Sequence, residues 1–252
     1  CLNNLKQIGL GLHNFHDTYQ RFPPGGAADQ PPFGTNPGAW GASWLVYALP
    51  FVEQNSLFQG FVFPGGSGWA NGTNADRYDN LRLTAYRCPS SPLPEFVAMS
   101  IGTGGTNAWR PSYAGIAGAT QELLPTETRI SQGGSPAGCC SGGKVSGGGI
   151  LFPNAKIKMA DITDGTSNTM IVGESGNFLY TQNGTKVDWS SGWHGCFIGC
   201  DNTNTPPNYS NGGDARAMNT LSIRYLINQT RGWPDPPGNC GATGVCDNIG
   251  TN

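Results

Sequence analysis

Charge is scarce in this chain. Of 252 residues, 14 are Lys or Arg and 16 are Asp or Glu, a charged fraction of 12% and a net charge of −2. That fraction is about half the usual share of a soluble domain. Solubility must therefore come from Asn, Thr, Ser and Gln rather than from ions. No cluster of Lys and Arg occurs, and a nucleic-acid surface needs a basic stripe, which argues against DNA or RNA as partners. No apolar run approaches the roughly 18 residues of a membrane-spanning helix. No secretory leader is visible either, and the chain opens on Cys1 rather than Met. A mature or trimmed form is expected, with its targeting segment outside the sequence.

Glycine (39) and proline (19) are abundant. Composition of this kind approaches the disordered range, but seven Trp, eight Tyr and eleven Phe oppose that reading, because disordered chains are poor in aromatics. An ordered, loop-rich fold is predicted, with Gly and Pro shaping its turns.

Eight cysteines stand at Cys1, Cys88, Cys139, Cys140, Cys196, Cys200, Cys240 and Cys246. An even number in a Gly-rich, charge-poor chain points to disulfides in an oxidising compartment. Zinc sites favour pairs two residues apart with further Cys or His at set spacing, and that pattern is missing. The expected bridges are Cys1 with Cys88 and Cys240 with Cys246. The remaining four cysteines are expected to pair among themselves.

Residues 1–20 carry the clearest periodicity. Leu2, Leu5, Ile8, Leu12, Phe15 and Tyr19 recur every three or four positions, one stripe of a helix over about 2–20. Phe22, Pro23, Pro24 and Gly25 end it. A second helix is predicted over about 43–58, N-capped by Ser43 and split at Pro50, and a short third over 76–86. Beyond Cys88 the pattern becomes short strands between turns, at 96–101, 112–117, 149–152, 157–160, 169–174 and 221–226. Helices followed by strands predict an α+β fold, the N-terminal helix packed on an antiparallel sheet with long disulfide-stapled loops. A single domain over 1–252 is expected, with its sheet and loops over about 96–252.

The opening CLNNLKQIGL at 1–10, HNFHD at 13–17 and RFPPG at 21–25 resemble the prepilin-like family catalogued as domain of unknown function 1559, expanded in planctomycete bacteria. Ser43 with Trp44, Leu49 with Pro50, Glu53 with Gln54, and CPS at 88–90 continue the likeness. So do ITDGTSNT at 162–169, Gly173 with Glu174, SIRY at 222–225, Ile227 with Asn228, and CDNIG at 246–250. The resemblance implies a pilin-like plan related to type IV pilins and secretion pseudopilins. A cleavable leader and an apolar anchor helix precede a globular head displayed at the cell surface. It also implies a His-Gly-Gly segment beyond residue 252. Both ends fall where the family continues, so the chain is expected to be part of a longer product. Membrane contact would come only through that upstream helix.

Few constellations suggest chemistry. His13 and His16, one turn apart and followed by Asp17, lack further ligands for a metal. Asp161, Asp164 and Asn168 around Gly165 form a weak calcium candidate, against the simpler reading of an Asx-stabilised turn. Pseudopilin relatives that bind calcium keep that candidate in view. Glu174 at a strand end has no second acid at hand for glycosidase chemistry, so a salt bridge or hydrogen bond is expected for it. His194 lies two residues before Cys196. No Gly-x-Ser-x-Gly elbow exists, and the glycines at 147–149 lack the Lys-Ser/Thr of a phosphate loop. Sequons at Asn71, Asn183, Asn208 and Asn228 are compatible with glycosylation. The function expected is that of a non-enzymatic extracellular subunit. It would self-associate into a filament or surface layer, without catalytic residues or a firm cofactor. The alternative is a surface-displayed module binding carbohydrate or another solute.

Overall fold

A computed structural model describes residues 1–35, 37–69, 71–99, 105–132, 143–188, 194–209 and 214–233. Helix α1 runs over Leu2–Tyr19 and buries Ile8, Leu12 and Phe15, the middle of the stripe that its periodicity predicts, together with Gly11; Leu5 is half-buried, and the ends of the stripe, Leu2 and Tyr19, are exposed. It ends at Gln20, which adopts a left-handed conformation and donates its backbone N–H to the His16 carbonyl. Helix α2 (Trp44–Ala48) is buried at every residue. A 3-10 turn at Leu49–Phe51 carries Pro50 and separates α2 from α3 (Asn55–Gln59), so Pro50 splits the predicted helix as expected. Ser43 precedes α2, but its hydroxyl does not cap the helix; it donates to the Cys196 carbonyl. The predicted third helix is displaced. Helix α4 covers Gly72–Tyr78, with Asn71 Oδ1 accepting the Asn74 N–H as N-cap, and residues 84–86 form a separate 3-10 turn.

Among the described residues nine short strands follow: β1 Phe96–Met99, β2 Thr106–Trp109, β3 Tyr113–Ala119, β4 Ile130–Gln132, β5 Lys144–Ser146, β6 Val172–Glu174, β7 Leu179–Tyr180, β8 Lys186–Val187 and β9 Thr220–Ile223. The pairs β1–β2, β4–β5 and β7–β8 are antiparallel ribbons, and the largest sheet described has the order β6-β3-β9. The α+β class is as predicted, yet this sheet is mixed rather than antiparallel. Strand β6 runs antiparallel to β3, whereas β9 joins β3 in parallel. A parallel neighbour requires a long crossover, and some hundred residues separate β3 from β9 in sequence. The β3–β9 register shifts between Ile116 and Gly118, where Gly118 has φ 134°; a side chain there would meet Ser146 Oγ at 2.5 Å.

Two further strand expectations are not met. Residues 149–152 bend over β3, Gly149 donating to the Ala117 carbonyl and Leu151 to that of Ile116. Residues 157–160 lead into a 3-10 turn at Met159–Asp161.

The main core joins α1, α2 and the first strands through Phe15, Trp44, Tyr47, Tyr86, Trp109 and Phe197, with Tyr78 and Phe197 stacked 4.0 Å apart. Helix α1 packs chiefly on α2 and the 3-10 turns at Leu49–Phe51 and Thr84–Tyr86 rather than on the sheet. The sheet meets its start through Tyr113, whose hydroxyl donates to the Cys1 carbonyl at 3.1 Å. Cys1 is disulfide-bonded to Cys88, the bridge expected from sequence. A smaller apolar cluster (Ala114, Leu179, Leu221, Trp233) lies where the sheet meets the β7–β8 hairpin. No described helix is long and apolar enough to cross a membrane.

Candidate functional site

A groove of about 500 Å³ opens over the β6-β3-β9 sheet. This falls within the roughly 300–1,000 Å³ of small-molecule sites. Its floor is Ile116 of β3 with Leu221 and Ile223 of β9, side chains that the pleat directs to one face. Gly173 of β6 leaves room above Ile116: a Cβ there would lie 3.5 Å from Ile116 Cδ1. One wall is Ser90, Ser91 and Pro92, held next to the sheet by the Cys1–Cys88 bridge just before them. A second wall is formed by residues 225–230 and Trp233.

That second wall is strapped to the β7–β8 hairpin. Tyr180 donates to the Thr230 carbonyl, Gln182 to that of Trp233, and Trp233 to that of Tyr180. A turn at its tip is closed by the Gln229 N–H on the Leu226 carbonyl, with Asn228 at φ 68°. Asn tolerates that left-handed position where β-branched residues do not. The turn therefore carries Leu226 (71% exposed) and Ile227 (67%) outward, and the exposed Met170 (44%) lines the same groove. Exposed aliphatic side chains gathered at one opening mark an interaction site more than scattered ones do. The sequence reading extended β9 through Leu226; the strand in fact ends at Ile223, and the clue to the tip is an apolar pair directly before Asn228.

Polar groups line the same groove. Among the described residues that line it, Glu174 is the only carboxylate and there is no Lys, Arg or His. The salt bridge or hydrogen bond expected for Glu174 is not found among the described residues: β6 ends there and presents the side chain to solvent. One Glu174 oxygen lies within 4.8 Å of both bridge sulfurs, and its charge adds to burial in holding the Tyr113 phenol above its usual range. Those sulfurs are bonded to each other, so the trio is not a set of free metal ligands. Ser175 Oγ, also at the groove, is buried without a hydrogen-bond partner among the described residues.

The other sequence candidates lie elsewhere. His16 Nε2 accepts the Met159 N–H at 3.0 Å, which occupies one ring nitrogen, while His13 is exposed. Asp161 Oδ2 accepts the Lys158 N–H, capping the 3-10 turn, and Asn168 Nδ2 donates to the Asp164 carbonyl. Asn71 is engaged at both ends of its amide, as cap acceptor and as donor to the Pro64 carbonyl, whereas Asn183, Asn208 and Asn228 are exposed. Asn228 stands on the groove rim, so a glycan there would overhang the opening. His194 sits edge-on to Trp69 with its pKa lowered to about 4, first by desolvation and then by the Arg216 charge.

The disulfide expectation needs one correction. Cys196 and Cys200 are buried free thiols, not bridged to each other or to another described cysteine. Each is enclosed by a different apolar cluster, Cys196 with Phe197 and Tyr86, Cys200 with Tyr209 and Ala28. Burial raises both thiols well above their usual pKa. The expected bridge of Cys240 with Cys246, and Cys139 and Cys140, lie outside the described residues.

Neither a curated protein nor a solved structure gives a significant match to this sequence. A family model does, over residues 1–248, and the chain belongs to the family described as SBP_bac_10, Protein of unknown function (DUF1559).

Proposed function

We propose that this chain is a non-enzymatic structural subunit of the cell surface, a pilin-like head that assembles through its N-terminal helix. The observation that carries this reading is the outward side of α1. While Ile8, Leu12 and Phe15 fill the core, Leu2 is 82% exposed and Leu10 57% exposed on the same helix. Burying one leucine stabilises by about 1.5–3 kcal/mol, so two outward leucines favour a neighbour that covers them. The charge-poor sequence supports close packing of like subunits, since few ions would have to be desolvated. Electron cryo-microscopy of native extracellular material tests this. The expected result is a repeating subunit with the Leu2 and Leu10 side of α1 against an adjacent copy. Heads found only as isolated particles would overturn it.

A second reading, a surface-displayed solute-binding module, is favoured by the groove over the β6-β3-β9 sheet, where an apolar floor meets a few convergent polar groups. Thermal shift across a solute panel tests it: a rise in Tm supports the module, and a flat response throughout opposes it.

A further inference from the structure

The two faces of the β6-β3-β9 sheet carry different groups. Gly173 stands opposite Ala114 in the β3–β6 register, on the face of the groove floor, whereas Glu174 stands opposite Tyr113 and shares the other face. On that face the Tyr113 hydroxyl donates to the Cys1 carbonyl, and one Glu174 oxygen lies within 4.8 Å of both sulfurs of the Cys1–Cys88 bridge. Glu174 is exposed, and among the described residues no salt bridge offsets its charge. The two bridge residues are unequally shielded: Cys88 is 1% exposed and Cys1 is half-buried. A thiolate arriving from solvent therefore meets the Cys1 sulfur first. Ser90 Oγ lies 3.3 Å from Cys1 Sγ and 3.1 Å from Cys88 Sγ, close enough to donate to either.

We propose that Glu174 is an electrostatic guard of the Cys1–Cys88 bridge, slowing its reduction by low-molecular-weight thiols and slowing anionic thiols most. In that reaction the thiolate of the reductant bonds to Cys1 Sγ. The Cys1–Cys88 bond breaks, and its electron pair leaves on Cys88 Sγ, which takes a proton from water. A second thiolate then displaces Cys1 from the mixed disulfide, so two thiols are oxidised to one disulfide as the bridge is reduced. Negative charge gathers twice within reach of the carboxylate, on the attacking sulfur and on the leaving one. Like-charge repulsion opposes both. The Ser90 hydroxyl offsets part of the second by donating to the Cys88 thiolate. Reactive cysteines sit in electropositive surroundings, and the surroundings of this bridge are the reverse. The bridge fixes the start of α1 and the wall formed by Ser90, Ser91 and Pro92, so the guard keeps both in place where thiols are present.

The test follows reduction of the native chain and of Glu174→Gln by cysteamine, 2-mercaptoethanol and 2-mercaptoethanesulfonate. Their terminal groups are cationic, neutral and anionic. Alkylation with iodoacetamide and peptide mass spectrometry read Cys1 and Cys88 apart from the other cysteines. The ratio of variant rate to native rate is taken for each thiol, which cancels differences in intrinsic nucleophilicity. Both chains have the same length, so charge at the N-terminus cancels as well. Glu174→Gln is expected to speed 2-mercaptoethanol by up to about fivefold, the range of an exposed charge pair. The ratio should be larger for the sulfonate and smaller for cysteamine. Unchanged rates in the variant would overturn the proposal. Equal acceleration of all three thiols would also overturn it, because a bridge merely loosened by the substitution does not distinguish the charge of its attacker.

Discussion

The Trp44 indole donates its N–H to the Asn219 backbone carbonyl at 2.8 Å, across 175 residues of sequence. Trp44 opens the buried helix α2 and Asn219 immediately precedes β9, so this one bond ties the helical layer to the edge of the sheet that floors the groove. Asn219 also donates its side-chain amide to the Gly195 and Ile198 carbonyls, and its backbone is left-handed at φ 61°.

Asn219→Ala is expected to be among the most damaging single substitutions in the described chain. It leaves two buried carbonyls without donors and places a Cβ-bearing residue with no compensating amide in left-handed backbone. The combined cost is about 3–4 kcal/mol. Asn219→Gly restores the backbone freedom and should recover about 1 kcal/mol of that loss. Urea denaturation of both variants checks the order; equal stabilities would show that the backbone conformation contributes nothing.

Acid should weaken the fold through His194. Its pKa is about 4 in the folded protein, first because of desolvation, against about 6.5 when unfolded. The unfolded chain therefore takes up the proton first, and stability falls as pH drops from about 6.5 towards 4. Partial exposure limits the effect to about 2 kcal/mol. His194→Gln should flatten the dependence of Tm on pH in that window, and an unchanged slope would remove His194 as its source.

Opening the Cys1–Cys88 bridge frees a loop of 87 residues' separation. By chain entropy, Cys88→Ala paired with Cys1→Ala should cost about 4.6 kcal/mol, on the usual account that the bridge restricts the unfolded chain. It should also loosen the wall formed by Ser90, Ser91 and Pro92. Denaturation midpoints measure the first effect, and hydrogen exchange at residues 90–92 the second.

The buried thiols of Cys196 and Cys200 make a distinct chemical prediction. In the native protein at pH 8, neither should react with iodoacetamide, because both are enclosed and burial opposes the thiolate. In urea without reductant, both should be alkylated, as read by peptide mass spectrometry. Resistance in urea would mean that they are bridged after all.

Local pattern alone determined α1, its end at the Phe22, Pro23 and Pro24 run, and the break at Pro50, because helical period and proline geometry act over a few residues. The pairing of Cys1 with Cys88 and the family opening were also legible along the chain. Tertiary structure decided the rest. Whether β9 lies parallel or antiparallel to β3 depends on the path of some hundred intervening residues, which no local period encodes. Burial of Cys196 and Cys200 as thiols depends on which aromatic side chains fold over them. The groove itself gathers Ser90, Ile116, Met170, Glu174, Leu221 and Leu226 from distant segments. Glu174 and Ser90 stand out along the chain, but their gathering with the others does not, since exposure and concavity are properties of packed neighbours and not of any one stretch of chain.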